Sequence, residues 1–226
     1  MEGCTIKYRK EVTMYISHYV KKSSVLGPGQ RFGVWLYGCK KCCKGCIFPE
    51  NQGEVTNGQW ISTEEMLHII QGVKGIHGIT ISGGEPFLQI EELTKLCRQV
   101  KGKTGLDIMI YSGYRFEELT AEYQNRFDEI CTYIDILIDG EYVEALNDNR
   151  AYRGSSNQTI YFLSDKYRLY QEQMNQRYHR NVEFEMDSGG NLVMIGIPPK
   201  GFQEELMRKA MKEKNTTKGI TLHEIN

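Results

Sequence analysis

Four of the seven cysteines fall within eight residues, Cys39-Lys40-Lys41-Cys42-Cys43-Lys44-Gly45-Cys46, while Cys4, Cys97 and Cys131 stand alone. A disulfide framework spreads its cysteines along the chain, whereas thiols crowded into one loop of an intracellular protein bind metal or do redox chemistry. With 226 residues, 40% hydrophobic and 25% charged, the chain is long enough to bury one substantial core without covalent staples. A single domain over 1–226 is expected, with a core of about 14–163 and a C-terminal extension of about 164–226. Lys and Arg total 28 against 29 Asp and Glu, a formal charge of -1, so a nucleic-acid partner has no general basic field to support it. No apolar run is long enough to span a membrane, and Met1 to Lys10 is too polar for a signal peptide, which predicts a cytoplasmic protein with no membrane partner.

Local patterns predict alternating strands and helices. Ser62-Thr63-Glu64-Glu65 reads as a helix cap, with Met66, Ile69, Ile70 and Val73 following at helical spacing to give a helix near 63–73. Gly78 to Ser82 reads as a strand, and Ile90, Leu93, Leu96 and Val100 resume helical spacing after Pro86. Asp107 to Tyr111, Phe116 to Tyr123 and Ile134 to Ile138 repeat the pattern as strand, helix and strand. Short apolar strands separated by helices predict a parallel sheet and an α/β fold. Arg31 to Tyr37 reads as a further strand that delivers the chain into the cysteines, placing them at a strand's C-terminal end, where α/β folds site their chemistry. Beyond Asn157 to Leu163, the expected elements are a polar helix over Asp165 to Tyr178, a hairpin over 182–197 and a helix from about Phe202 to Lys214. Lys209, Lys212, Lys214 and Lys218 read as a solvated face.

The cysteine loop parses in two ways. As two abutting Cys-x-x-Cys pairs it offers zinc four thiolates or forms a redox dithiol, although zinc sites usually separate their pairs so that both reach one tetrahedral centre. As Cys39-x3-Cys43-x2-Cys46, with Cys42 a bystander, it offers three thiolates to a [4Fe–4S] cube and leaves one iron open. Ile81-Ser82-Gly83-Gly84-Glu85-Pro86 is the second motif. It reads either as a plain strand-to-helix turn opened by Pro86 or as a rim where two glycines let a ligand approach the backbone. His18, His68, His77, His179 and His223 form no ligand-like pair, and Cys4, Cys97 and Cys131 read as small buried hydrophobes.

The three-cysteine spacing followed by the Gly-Gly-Glu-Pro strand end resembles the radical S-adenosylmethionine (SAM) superfamily, and within it the activating enzymes of anaerobic (class III) ribonucleotide reductase. Gly27 to Arg31, Tyr111 to Tyr114, Asp135 to Gly140 and Arg153 to Gln158 extend the likeness over about 14–160. The resemblance implies a partial (β/α)6 barrel with a C-terminal hairpin and helix extension. It implies that Cys39, Cys43 and Cys46 hold a [4Fe–4S] cluster and that SAM chelates its open iron. Gly83, Gly84 and Glu85 would receive the methionine amino group and Pro86 would shape the turn, with Ser112 and Asp139 near the SAM carboxylate or a cation. It further implies reductive cleavage of SAM to methionine and a 5′-deoxyadenosyl radical, an electron donor of the flavodoxin or ferredoxin type, and a glycyl radical enzyme as partner. Leu26 stands where the family usually has Asp, Phe48-Pro49-Glu50-Asn51-Gln52 replaces its usual Asn-Pro stretch, and about 60 residues follow the point where compact members end. The alternatives are a stand-alone radical SAM enzyme acting on a small molecule, nucleoside or peptide, and a non-catalytic metal-binding interaction protein.

Overall fold

The computed structural model describes residues 13–176, 179–186, 190 and 192–214; Cys4, Lys218, His223 and residues 187–189 and 191 lie outside them. One seven-stranded sheet carries the architecture. Its strands are β1 (Thr13–Ser23), β2 (Arg31–Leu36), β3 (Gln59–Ser62), β4 (Gly78–Gly83), β5 (Asp107–Tyr111), β6 (Ile136–Asp139) and β7 (Thr159–Phe162), in the order β3-β1-β2-β4-β5-β6-β7. Strands β2, β4, β5 and β6 are parallel neighbours; β1 pairs antiparallel with both β2 and β3, and β7 pairs antiparallel with β6. The α/β class is therefore present with a parallel centre. Four parallel strands stand where six β/α units are implied, and the sheet of the described residues stays open at β3 and β7.

Helices α1 (Thr63–Gly72), α2 (Ile90–Thr104), α3 (Phe116–Tyr123) and α4 (Asn125–Cys131) cover one face. Ser62 caps α1 by accepting from the Glu65 amide at 3.1 Å. Ile90, Leu93, Leu96, Cys97 and Val100 form the buried stripe of α2, which ends at left-handed Gly105. Cys97 is the small core residue that its spacing predicts; Cys131 is half-buried. Against these helices the sheet sets Phe32, Val34, Leu36, Ile79, Ile81, Ile108, Ile110 and Leu137.

The sheet's opposite face is covered by the C-terminal segment. Helices α5 (Asp165–Arg168) and α6 (Gln171–Gln176) bring Tyr167 and Met174 onto Met109, Ile136, Ile138 and Ile160. The hairpin of β8 (Glu183–Met186) and β9 (Leu192–Ile195) brings Val193 and Ile195 onto Val20, Leu26, Trp35 and Phe48. Helix α7 (Phe202–Lys214) follows. Two expectations need correction. The polar helix expected over 165–178 is two short helices as far as residue 176, with 177 and 178 outside the described residues, and Thr13–Ser23 is an 11-residue strand where none is expected. Register shifts between Ile16 and His18 and between Val20 and Ser23 break the alternation by which a strand is recognised. Among the described residues no helix is long and apolar enough to cross a membrane.

Candidate metal and cofactor centre

The pairing of β2 with β4 places Leu36 opposite Gly83 and continues beyond both strands. The Gly84 amide donates to the Leu36 carbonyl at 2.8 Å, and the Glu85 amide to the Gly38 carbonyl at 2.7 Å. Both glycines are needed for this approach. A Cβ on Gly83 would lie 2.1 Å from the Leu36 oxygen, and one on Gly84 2.2 Å from the Gly38 oxygen. The sequence reading reserves the space at Gly84 for a ligand; the structure places the backbone leading into the cysteine loop there.

That loop is closed at its base. Cys39 and Gly53 exchange backbone hydrogen bonds at 3.2 and 3.0 Å, and the Gly38 amide donates to the Asn51 carbonyl at 3.1 Å. Asn51 is buried and donates from Nδ2 to Ser17 Oγ at 2.9 Å. Within the loop, the Cys46 amide donates to the Cys43 carbonyl across a turn made at Gly45, whose φ is +73°. Cys39, Cys43 and Cys46 are half-buried, and Cys42 is exposed. Burial pushes the Cys39 thiol up, and the charges of Glu85, Cys43 and Cys46 add to that against the Lys41 amide. Burial also pushes Cys46 up, with Cys43 and Glu50 adding to it and the Phe48 amide opposing. Cys43 thus acts on both Cys39 and Cys46, and Cys46 on Cys39, so the three thiols share one electrostatic neighbourhood.

Among the described residues no three His, Cys, Asp or Glu side chains converge as one metal ion requires. A [4Fe–4S] cube asks less of its thiolates, since each binds a different iron. The donor set of Cys39, Cys43 and Cys46 therefore suits three corners of a cube. Loading it means exchanging thiol protons for iron, the coupling expected of any thiolate site.

A cavity of about 460 Å³ opens beside this loop on the face away from the helices. Cys46, Gly83, Gly84 and Ser112 line it; Cys39, Cys43, Glu85, Pro86 and Asp139 do not. Glu85 is fully buried. Its carboxylate accepts from the Phe87 amide at 3.0 Å, Ser112 Oγ at 3.0 Å and the Gly113 amide at 2.7 Å, tying the β4 turn to the end of β5. Burial pushes this carboxyl up to about 7, with the three hydrogen bonds and the Lys41 charge pulling the other way. Pro86 begins a 3₁₀ turn over Pro86–Gln89. Asp139 accepts from the Phe116 amide at 2.7 Å and the Thr159 amide at 3.0 Å, joining β6 to α3 and β7.

Three further groups are not among the site residues expected from sequence, and of them only Gln158 lies in a block that carries the resemblance. Gln89 bonds both the amide and the carbonyl of Tyr15, at 2.8 and 2.9 Å, and the Tyr37 carbonyl at 3.1 Å, fastening β1 to the start of the cysteine loop. Gln158 accepts from the Gly154 amide at 2.6 Å and donates to the Gly140 carbonyl at 2.7 Å. Two of the blocks that carry the sequence resemblance meet there. Arg180, which no motif marks in its polar stretch, also lines the cavity.

Residues 25–161 match a family described as a 4Fe-4S single cluster domain. The chain is 30% identical over 158 residues to the anaerobic ribonucleoside-triphosphate reductase-activating protein of Escherichia coli, covering 66% of this chain and 99% of that one. It is 31% identical to the protein of the same name in Salmonella typhi, with the same coverage. With the phage T4 protein of that name it shares 30% over 146 residues, 62% of this chain and 89% of the other.

Proposed function

Because the chain belongs to the 4Fe-4S single cluster domain family, and within it is similar to proteins named for activating anaerobic ribonucleoside-triphosphate reductase, we propose that it is a radical SAM activase. In this reading Cys39, Cys43 and Cys46 hold a [4Fe–4S] cluster, and SAM lies along Gly83, Gly84 and Ser112. The product is a glycyl radical on an anaerobic ribonucleotide reductase in the cytoplasm, with a flavodoxin- or ferredoxin-type protein as electron donor. When bound, the reduced cluster and SAM together supply a 5′-deoxyadenosyl radical able to abstract a hydrogen atom.

The observation that carries this reading is the backbone link between the two motifs. Gly84 and Glu85 bond the chain at Leu36 and Gly38, so the cysteine loop and the glycine turn are joined at the base, and Cys46 of that loop lines one cavity together with Gly83 and Gly84. Glu85 and Asp139 act behind that surface by holding the ends of β5 and β6, which sets the position of Ser112 and Gly113. Trp35 and Phe48 stack with ring centroids 6.4 Å apart and make the wall of the cavity beside Cys46 apolar.

The anaerobically reconstituted, reduced chain is expected to convert SAM to 5′-deoxyadenosine and methionine. With the candidate reductase it should then give a glycine-centred doublet in electron paramagnetic resonance. An intact cluster that never cleaves SAM, alone or with that partner, would overturn the reading. One observation favours a second: the C-terminal segment walls the cavity with polar groups including Lys200, Gln203 and Glu204, as a small-molecule site would. Transfer of deuterium from a small substrate into 5′-deoxyadenosine, with no glycyl doublet, would select it.

A further inference from the structure

Arg180 sits where the C-terminal segment meets the loop at 150–154, and its guanidinium is spent on main-chain oxygens. Nε donates to the Arg150 carbonyl at 2.9 Å, Nη1 to Pro198 at 3.0 Å, and Nη2 to Arg153 at 2.6 Å and Gly154 at 3.0 Å. Four of its five N–H groups are thus committed, so the group is turned to holding backbone rather than to binding an anion. One planar fork reading four carbonyls fixes 150–154 against the strap Gly196–Gly201.

The strap is held elsewhere too. The Lys200 amide donates to Asn149 Oδ1 at 2.7 Å. At its other end Gly196, with φ +103°, lies so close that a Cβ would come within 2.9 Å of Val25 and 3.0 Å of the Asn181 carbonyl. From the strap a continuous set of contacts runs through Arg180 to Gly154, from the Gly154 amide to Gln158, and from Gln158 to the carbonyl of Gly140 after β6. Strap residues from Gly196 to Gly201 line the same cavity as Gly83, Gly84 and Ser112. This wall lies beyond residue 161, where the family match ends, and a third of this chain has no counterpart in the Escherichia coli relative.

We propose that the strap is a structural wall of the SAM site and that Arg180 is its positioning residue, so that SAM affinity in this chain depends on a segment the compact relatives lack. The inference rests on the radical SAM reading. A volume of about 460 Å³ is at the low end of what one drug-sized ligand takes, so displacement of a single wall is enough to loosen the fit.

The test is equilibrium dialysis of labelled SAM against the cluster-loaded chain, with hydrogen exchange of the Lys200 and Gly154 amides as a second readout. Arg180→Gln should raise the SAM Kd by about tenfold and speed exchange at both amides, with iron content unchanged. Arg180→Lys, which supplies a point charge without the fork, should fall between. Asn149→Gly removes the other fastening while keeping a residue suited to φ +60°; it should raise Kd by about threefold, and it decides the matter if Arg180→Gln does not fold. A wild-type Kd in Asn149→Gly and Arg180→Lys despite faster strap exchange would overturn the inference alone, as would unchanged exchange in both. A cluster-loaded wild type that binds no SAM would overturn the radical SAM reading and this inference with it.

Discussion

The two ends of the parallel strands treat buried charge in opposite ways. At the N-terminal end Arg31, fully buried, meets Asp107 at 2.5 Å, and Asp107 also accepts from Lys166 at 2.8 Å and the Tyr167 hydroxyl at 2.7 Å. Asp135 there meets Lys101 at 2.5 Å and Ser164 at 2.6 Å. At the C-terminal end Glu85 and Asp139 are as deeply buried but accept from backbone amides and hydroxyls. Burial pushes both Asp107 and Glu85 up; Arg31, Lys166 and Tyr167 outweigh it for Asp107, which ends below its usual range, while Glu85 ends at about 7. One end is saturated with counter-charge and serves stability. The other keeps glycines, amides and a cavity, as expected where α/β folds carry chemistry.

The largest expected effect comes from breaking the saturated end. Arg31→Met leaves Asp107 buried with one cation fewer and should cost about 4 kcal/mol in chemical denaturation, while iron uptake per folded molecule is unchanged. Loss of iron at full stability would mean that the two ends are not separate.

Next is the pH dependence, measured on the metal-free chain. Glu85 is raised in the fold, so its contribution is fully present below the ordinary carboxylate pKa of 4.5 and is lost as pH rises through about 7. Wild type should therefore lose about 3 kcal/mol relative to Glu85→Gln between pH 5 and 8. Asp107 is lowered, so its contribution is present above its usual pKa and is lost only in acid. Parallel profiles for wild type and Glu85→Gln would remove the contrast between the ends.

A smaller effect separates packing from ligand space at the rim. Gly84→Ala should cost about 2 kcal/mol and reduce iron uptake, because its Cβ meets the Gly38 carbonyl next to Cys39. Gly113→Ala, whose Cβ meets nothing closer than 3.4 Å, should change stability by less than about 0.5 kcal/mol. If Gly84→Ala weakened SAM binding alone, the open-space reading of the glycine pair would hold after all.

Much of this sheet is legible from sequence because its parallel strands are short β-rich runs bounded by turns, and its helices keep their apolar stripes. Asp107–Tyr111, Phe116–Tyr123 and Phe202–Lys214 fall where those patterns put them. Bulges conceal β1, and an interruption at Leu169 and Tyr170 divides what reads as one polar helix. At the site, the grouping of Cys39, Cys43 and Cys46 and the strand-end position of Gly83 are readable from spacing. The inward turn of Glu85 is not, since it depends on Ser112 and Gly113 from another strand. Arg180 is still less readable, because its role is defined by carbonyls at 150, 153, 154 and 198 that are near it only in the fold.

The central claim is that three thiols of one loop, and not four, hold an iron–sulfur cube. Its most direct test is the iron and sulfide content of the anaerobically reconstituted chain and its four single Cys→Ala variants at 39, 42, 43 and 46. Wild type and Cys42→Ala are expected to hold about four iron and four sulfide per chain, and the other three variants to lose them. Equal loss in Cys42→Ala, or a wild type that takes up zinc in place of iron, would contradict it.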